Sequence, residues 1–226
     1  MINLTKIYFV RHCEATGNIN RTFQGSTDND ITEFGEKQLE KLSERFKEIA
    51  LDKIYTSPLI RAQKTALAIK GNRDMEIQIL PAITELNGGI IEDKPVTESF
   101  TKYPEYKDAW FNHPEDFAPQ NGEAMRDAYR RIEKAFFELL EKHKGETIAC
   151  ASHGGIIRCL ECRILYNDIT KLKDVNIFDN TAILLLEIDD NGIIKIKLSN
   201  DSSHLTPELI RHNVSILRAK KAVDTK

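Results

Sequence analysis

Residues 8–18 read Tyr-Phe-Val-Arg-His-Cys-Glu-Ala-Thr-Gly-Asn, an apolar run that ends in two basic side chains and continues into a small, polar turn. The residues just before Arg11 are apolar at successive positions, which predicts a central strand that is covered on both faces of a sheet. Ligands in such sheets bind beyond the carboxyl ends of the strands. At that end, Arg11 supplies a fixed cation and His12 an imidazole that can act as nucleophile or base. The turn adds short neutral groups: Thr16, Gly17 and Asn18. The stretch therefore predicts a pocket for an oxyanion such as phosphate.

Two further segments repeat the pattern of an apolar strand followed by polar chemistry. Residues 147–152 predict a strand that ends in His153 and two glycines. Residues 53–57 predict another, followed by Pro58 at the first turn of a helix and Arg61 one turn in. That helix amino terminus is expected to offer free amides to an anion. An arginine-histidine pair alone also fits a solvated turn, but several strands that deliver such groups to one sheet edge favour a site.

In order and spacing, these segments resemble the histidine phosphatase superfamily, in its phosphoglycerate mutase-like branch (branch 1). The resemblance runs from about residue 6 to residue 204. It rests on these residues in combination: Arg11, His12, Cys13, Glu14, Asn18, Ile31, Thr32, Gly35, Gln38, Ser57, Pro58, Leu59, Arg61, Ala62, Thr65, Ala66, Glu85, Gly89, Glu92, Gly122, Glu123, Ser152, His153, Gly154 and Arg158. It implies an α/β fold, a three-layer α/β/α sandwich whose mostly parallel sheet has an antiparallel element. It also implies one domain over residues 1–226, with a lid-like insertion at about 92–120.

The resemblance also implies a mechanism, that of a metal-independent phosphatase acting on a small phosphomonoester. His12 attacks phosphorus and becomes a phosphohistidine, and Glu85 serves as general acid and base. Arg11, Arg61 and His153 complete the catalytic set and neutralise charge on the phosphoryl oxygens. The groups expected to bind those oxygens are Arg11, Thr16, Asn18, Arg61, His153 and Gly154. No cofactor and no metal are required. Taken locally, Glu85 also fits a solvated glutamate before two glycines.

Departures from the family pattern leave three functions open. Mutases of the family follow the acidic residue with arginine, histidine and tyrosine, whereas this chain has Leu86, Asn87 and Gly88, which favours a hydrolase. The alternative is a phosphoglycerate mutase. A third reading is an inactive member that binds phosphorylated ligands, supported by Cys13, where the family has glycine. Sugar phosphates, phosphoglycerates and a cobalamin-precursor phosphate are all candidate substrates.

The four cysteines have two interpretations, metal or redox chemistry and apolar packing. Cys159 and Cys162 have the C-x-x-C spacing of zinc ligands. Packing is favoured, because free cysteine behaves as a small buried apolar residue. Cys13, beside the expected nucleophile, is the one cysteine predicted to be reactive. Cys150 lies on a neighbouring predicted strand, so that its sulfur and that of Cys13 are expected to face a common region.

Composition narrows the partners and the compartment. The 226 residues suffice for a substantial core, and the net charge of −3 gives no support for a nucleic-acid partner. No leader-like segment opens the chain and no long apolar run occurs, so we expect no membrane partner. The cysteine usage fits a reducing compartment, and we expect a cytoplasmic enzyme. The expected partner is a small phosphorylated substrate, and a homodimer is left open.

Hydrophobic periodicity predicts alternating elements. Strands are expected near 5–11, 53–57, 76–80 and 146–152, with helices near 32–49, 59–70, 122–144 and 155–165. A hairpin of 181–188 and 193–199 follows, turned by residues 189–192. In the insertion, Trp110 and Phe111 either line an apolar substrate site or, as we favour, anchor the lid. Glu123 either bonds an arginine of the pocket or starts the long helix, His204 is assigned a structural role, and the last dozen residues are expected to form a tail.

Overall fold

The computed structural model describes residues 4–210, and its centre is a six-stranded sheet. The strands are β1 (Thr5–Arg11), β2 (Lys53–Thr56), β3 (Ile77–Ile79), β4 (Thr147–Ser152), β5 (Ile183–Ile188) and β6 (Ile194–Asp201). Their order across the sheet is β3-β2-β4-β1-β5-β6. The strands β3, β2, β4 and β1 are parallel, whereas β5 and β6 are antiparallel to their neighbours. The predicted α/β sandwich with an antiparallel element is confirmed.

Helices cover both faces of this sheet. They are α1 (Thr16–Asn20), α2 (Glu33–Phe46), α3 (Ile60–Lys70), α4 (Val96–Lys102), α5 (Pro104–Asn112), α6 (Met125–Lys142) and α7 (Gly154–Tyr166). Alternate residues of β1 enter two separate cores. Ile7 and Phe9 pack in the core that also contains residues of α6 and α7, while Tyr8 and Val10 pack in the core that contains residues of α2 and α3. The apolar run of β1 is therefore buried on both faces, as a central strand requires.

The predicted elements are all present, and local contacts explain where their bounds differ. The helix expected to reach residue 49 ends at Phe46, because Arg73 donates to the carbonyls of Phe46 and, at 2.8 Å, of Ile49. The long helix begins at Met125 instead of residue 122, because the Met125 amide donates to the Phe117 carbonyl at 2.9 Å. The strand expected at 76–80 is shortened to Ile77–Ile79.

Residues 92–120 form α4 and α5 beside the carboxyl ends of the strands, and aromatic packing holds this insertion to the body. The ring of Trp110 lies 4.8 Å from that of Phe117 and 5.6 Å from that of Phe23, both edge to face. Phe117 is fully buried. Trp110 therefore anchors the insertion, in agreement with the interpretation favoured from the sequence. The division of the chain into a domain and a lid stays a prediction.

Two expectations concern the remaining parts of the chain. Within residues 4–210, no helix combines the length and the apolar character that crossing a membrane demands. The tail expected over the last dozen residues lies outside the described residues.

Candidate active site

Two neighbouring strands end side by side and present a histidine each. β1 ends at Arg11 and β4 at Ser152, and the parallel register pairs these two residues. The His12 amide continues the pairing by donating to the Ser152 carbonyl at 2.9 Å. As a result, the ring centroids of His12 and His153 lie 5.2 Å apart, and both side chains are buried. The sequence prediction that the strands deliver both histidines to one edge is confirmed.

His12 is held in the tautomer that a nucleophile needs. Its Nδ1 lies 2.7 Å from the carbonyl oxygen of Cys13. Because a carbonyl only accepts, Nδ1 carries the proton and Nε2 keeps its lone pair. Burial lowers the pKa of His12 well below its ordinary value, and the charges of Arg61 and Arg11 lower it further. The ring is thus neutral and able to attack through Nε2 near neutral pH.

Two buried arginines flank the histidines, and the Nε of each has no partner in the described residues. Arg11 donates through NH1 to the Phe178 carbonyl. Arg61 donates to the carbonyls of Thr27 at 2.6 Å and Gly25 at 2.8 Å. The Nε atoms of both arginines are buried and have no partner within residues 4–210. Burial lowers the pKa of Arg11 to about 10, against the opposing effect of nearby carboxylates, so the guanidinium is still charged at neutral pH.

His153 also has an unused donor. Its Nε2 lies 2.7 Å from Ser57 Oγ, which itself accepts the Leu59 amide at 3.3 Å. If the serine hydroxyl donates to Nε2, the imidazole proton resides on Nδ1, and Nδ1 is buried without a partner in the described part of the chain. Burial lowers the pKa of His153 well below its ordinary value, and Arg61, His12 and Arg11 act in the same direction. His153 is therefore neutral and can donate one hydrogen bond.

Glu85 is the carboxyl group of this site, and the amino terminus of α7 holds it. Its Oε2 accepts the Gly155 amide at 2.9 Å, and its Oε1 accepts the Leu86 amide at 3.0 Å. A Cβ on Gly155 would lie 2.6 Å from Oε1, so the close approach requires glycine. Burial raises the pKa of Glu85 above its ordinary value, although these amides, Arg61 and Arg11 oppose the shift. A raised pKa suits a general acid.

An ion pair supports the segment that leads to Glu85. Arg131 of α6 donates to the Thr84 carbonyl at 2.9 Å and to the Ala82 carbonyl at 2.8 Å. The same guanidinium donates to both carboxylate oxygens of Glu123, at 2.8 and 2.7 Å. Glu123 was expected either to bond an arginine of the pocket or to start the long helix; it bonds Arg131 of α6, which supports the Glu85 segment, and not Arg11 or Arg61.

The smaller predicted phosphate-binding groups are Gly154, Asn18 and Thr16. Gly154 lies against Arg11, since a Cβ there would be 3.1 Å from Arg11 Nε. Asn18 Oδ1 accepts the Ala15 amide at 2.9 Å, which leaves its Nδ2 to donate. Thr16 is exposed at the start of α1, and its amide donates to the Asp30 carbonyl at 3.0 Å. The roles of all three in binding stay predictions.

One residue and one helix end differ from the sequence account. Gln24, which no local pattern singled out, packs against Gly17 of α1 and has a buried Oε1 without a partner within residues 4–210. The amino terminus of α3 was expected to offer free amides, but the Ile60 amide donates to Asp28 at 2.7 Å and the Leu59 amide to Ser57. That expectation is wrong for these amides, because nearby polar side chains already cap the helix.

Cys13 is packed, and the expectation that it is reactive is wrong. It is fully buried, and burial raises the pKa of its thiol to about 12, so the thiolate is scarce at neutral pH. A Cβ on Gly35 would lie 3.2 Å from its sulfur, which places that sulfur against α2. Cys150 instead packs in the core of the opposite face, so the two sulfurs do not share a region.

The C-x-x-C pair is structural. Cys159 and Cys162 are both fully buried in α7, and burial raises their pKa values to about 12 and about 11. Cys159 contacts the Met125 sulfur at 3.6 Å. No cluster of metal-ligating side chains occurs in the region from residue 4 to residue 210. Both side chains pack in the hydrophobic core, in agreement with the packing interpretation.

Sequence comparison shows the family. The chain matches the histidine phosphatase superfamily (branch 1) over residues 7–202. The site is thus that of a phosphatase-type enzyme, and the chain belongs to this superfamily.

Named relatives come from both activities of the family. The chain is 30% identical to phosphoserine phosphatase 1 of Hydrogenobacter thermophilus, covering 89% of this chain and 95% of the relative. It is 32% identical to the metal-independent phosphoserine phosphatase of Arabidopsis thaliana, covering 90% and 84%. A probable phosphoglycerate mutase of Yersinia enterocolitica is 29% identical and covers 72% and 75%.

Solved structures agree with this assignment. YhfR of Bacillus stearothermophilus superimposes with a TM-score of 0.83 at 29% identity, covering 88% of this chain and 98% of that one. A mutant phosphoserine phosphatase from Entamoeba histolytica, solved in complex with phosphoserine, gives 0.77 at 27% identity, covering 89% and 100%. The fold and the enzyme class predicted from the sequence are confirmed.

Proposed function

We propose that this chain is a metal-independent phosphomonoesterase that works through a phosphohistidine on His12, and that O-phosphoserine is its substrate. The observation that carries the mechanism is that Arg11 Nε, Arg61 Nε and His153 Nδ1 are all buried without a partner within residues 4–210, on side chains close enough to the neutral His12 to lower its pKa or to contact its ring. A buried donor without a partner costs folding free energy of about 1–3 kcal/mol. Phosphoryl oxygens would satisfy all three, and they carry the negative charge that the arginines require.

The first step is an in-line displacement at phosphorus. His12 Nε2 forms a bond to phosphorus while the bond from phosphorus to the ester oxygen breaks. Arg11, Arg61 and His153 stabilise the charge on the three remaining oxygens. Glu85, whose raised pKa keeps a proton available, donates it to the departing oxygen. The products of this step are the free alcohol and phosphohistidine.

The second step returns His12 to its starting state. Water attacks phosphorus as Glu85, now a carboxylate, accepts its proton. The bond from phosphorus to Nε2 breaks and inorganic phosphate leaves. Because Glu85 serves as acid in one step and as base in the next, it ends the cycle protonated. No cofactor takes part in this scheme.

The substrate proposal rests on the named relatives. The two phosphoserine phosphatases match about nine-tenths of this chain, and the relative named for mutase activity matches 72% of it. A mutase nevertheless remains the second candidate because of that similarity. The neutral sequence Leu86-Asn87-Gly88 beside Glu85 favours hydrolysis over transfer between phosphoglycerates.

The test is release of phosphate from O-phosphoserine, 3-phosphoglycerate and a sugar phosphate in the presence of EDTA. We expect the wild-type protein to hydrolyse phosphoserine fastest and the His12→Ala variant to release no phosphate. Interconversion of phosphoglycerates after addition of bisphosphoglycerate, without net hydrolysis, would identify a mutase. Binding of phosphoserine without either reaction would identify an inactive binding protein.

A further inference from the structure

Glu92, at the start of the insertion, accepts hydrogen bonds from two separate loops. Its carboxylate accepts the amides of Gly25 at 3.2 Å, Ser26 at 2.8 Å and Thr27 at 3.3 Å. It also accepts the Thr27 hydroxyl at 2.5 Å. From the other loop, the Gly88 amide donates to it at 2.6 Å. All of these bonds involve an ionised acceptor and belong to the stronger class of hydrogen bond.

The loop of residues 25–27 binds Glu92 through its amides and Arg61 through its carbonyls. Arg61 NH2 donates to the Gly25 carbonyl at 2.8 Å, and NH1 donates to the Thr27 carbonyl at 2.6 Å. These two bonds fix the plane of the guanidinium, because its donors have a rigid fork geometry. Arg61 Nε is the donor that remains without a partner within residues 4–210. The direction of that donor therefore depends on the position of the loop, and Glu92 holds the loop.

Two glycines make this arrangement possible. A Cβ on Gly25 would overlap both the Glu92 carboxylate and the Leu86 carbonyl. A Cβ on Gly88 would lie 2.5 Å from the ring of Phe23 and 3.3 Å from Glu92 Oε1. A side chain at position 25 would force the carboxylate out of its place between the loops, and one at position 88 would displace the ring of Phe23 beside it. The loop that contains Glu85 and the loop that holds Arg61 thus meet at one carboxylate.

We propose that Glu92 is a positioning residue that aims Arg61 at the phosphoryl group by fixing the loop of residues 25–27. The proposal rests on the proposed function, since it takes Arg61 as a phosphate ligand. Glu92 does not touch the phosphoryl group and acts through the backbone of Gly25 and Thr27. It links the insertion, which begins with Glu92 itself, to the charge that stabilises phosphoryl transfer.

The test is a double-mutant cycle with Glu92→Gln and Arg61→Ala, read as the affinity for inorganic phosphate by calorimetric titration. The glutamine keeps the size of the side chain but replaces one accepting oxygen with a donor and removes the charge. We expect Glu92→Gln to weaken phosphate binding and to lower kcat, each by about tenfold, as for the loss of charge-assisted hydrogen bonds. In the protein that already carries Arg61→Ala, adding Glu92→Gln should alter phosphate affinity less than about twofold. The effects of the two substitutions are not additive, because Glu92 acts on phosphate through Arg61.

Equal losses in both backgrounds would overturn the proposal, as would a wild-type protein that binds no phosphate. Asp93→Asn is the matched control, since it removes a neighbouring exposed carboxylate, and it should leave affinity and kcat unchanged. If Glu92→Gln does not fold, Thr27→Val removes one of the Glu92 hydrogen bonds while retaining the loop. Unchanged phosphate affinity in folded Thr27→Val would then contradict the account. Phosphate binding without turnover would refute only the proposed function, because the cycle depends on binding alone.

Discussion

Two buried histidines stand at opposite ends of β4, and their surroundings differ in one respect. His143 precedes the strand, and both ring nitrogens are bonded, Nε2 to Tyr55 Oη at 2.8 Å and Nδ1 to Glu146 at 2.6 Å. His153 follows the strand and leaves Nδ1 buried without a partner in the described residues. Both ring nitrogens of His143 therefore have hydrogen-bond partners within the protein. Nδ1 of His153 lacks an acceptor, and a phosphoryl group would supply one.

A single unpartnered atom does not define a site. Isolated cases also occur at Tyr129 Oη, Ser99 Oγ and His204 Nδ1. The end of β4 that contains His153 differs because two arginines contribute further unpartnered donors beside a neutral histidine. Under the proposed function, this grouping of donors around His12 distinguishes the end of β4 next to His153 from the end next to His143.

In this comparison of the two ends of β4, we expect the largest loss of activity from Glu85→Gln. Removing the general acid should lower kcat for O-phosphoserine by roughly 10²–10⁴-fold. An ester with a good leaving group, such as p-nitrophenyl phosphate, needs no proton in the first step. Phosphohistidine formation from that ester should therefore be much less affected.

The pH dependence of activity is a second test of the role of Glu85. The pKa of Glu85 is raised, so the acid form is lost as pH rises through that value, and wild-type kcat/KM should fall there. The pKa of His12 is lowered, so the loss of activity on the acidic side of the profile should occur well below the ordinary pKa of histidine. In Glu85→Gln the alkaline limb should disappear. Glu146→Gln, at the opposite end of the sheet, is the control and should keep both limbs of the pH profile. If Glu85→Gln slowed phosphohistidine formation equally from O-phosphoserine and from p-nitrophenyl phosphate, the assignment of Glu85 as the general acid would be contradicted.

The second effect is a large loss of activity with a small loss of stability at His153. We expect His153→Asn to lower kcat/KM by about a hundredfold, equivalent to about 3 kcal/mol of transition-state stabilisation. The free energy of unfolding should fall by about 1 kcal/mol, because the hydrogen bond between Nε2 and Ser57 Oγ is lost. Steady-state kinetics and urea denaturation measure the two quantities. A variant that is fully active but destabilised would show that the role of His153 is structural and not catalytic.

The third effect is the opposite outcome at His143. In His143→Asn, the hydrogen bonds to Tyr55 and Glu146 are broken, which should lower the free energy of unfolding by about 1–3 kcal/mol. The kcat/KM of the folded variant should be unchanged, because the residue lies at the far end of β4. Urea denaturation and the phosphatase assay run side by side with His153→Asn check this. A large loss of activity at full stability would break the comparison.

The smallest effect concerns His204, whose Nε2 lies 3.1 Å from Thr181 Oγ1. Burial lowers the pKa of His204 to about 4. As pH falls from about 6.5 toward 4, the unfolded chain takes up a proton that the folded chain does not, so stability declines. His204→Gln should show a smaller decline over this window, measured by urea denaturation at several pH values. Activity at neutral pH should be unchanged, and an unaltered decline would show that His204 does not titrate as described.

The strand ends could be predicted from the sequence because their signals are local. The apolar residues before Arg11 and the run before His153 mark buried strands, and the polar residues that follow mark their carboxyl ends. The resemblance to the family added Glu85, which the local pattern alone did not distinguish from a solvated turn. The strand order β3-β2-β4-β1 depends on tertiary packing and has no periodic signal.

Glu92 belongs to the residues that carry the family resemblance, but sequence reasoning assigned it no role, because it acts through backbone groups. Glu92 binds amides some 65 residues away, and any residue type has an amide, so no pattern announces the contact. The environment of Cys13 was misjudged for a similar reason. Its position next to His12 suggested access to the site, but its sulfur packs against α2 near Gly35. Proximity in sequence does not fix the face on which a side chain lies.

The most direct test of the central claim is to quench the wild-type protein during turnover of O-phosphoserine and to locate any covalent phosphoryl group by peptide mass spectrometry. The account predicts an acid-labile, base-stable phosphoryl group on His12, absent from the His12→Ala protein and accumulating to a similar level in Glu146→Gln. Turnover at the full rate with no phosphorylated His12, or with the phosphoryl group on another residue, would contradict it.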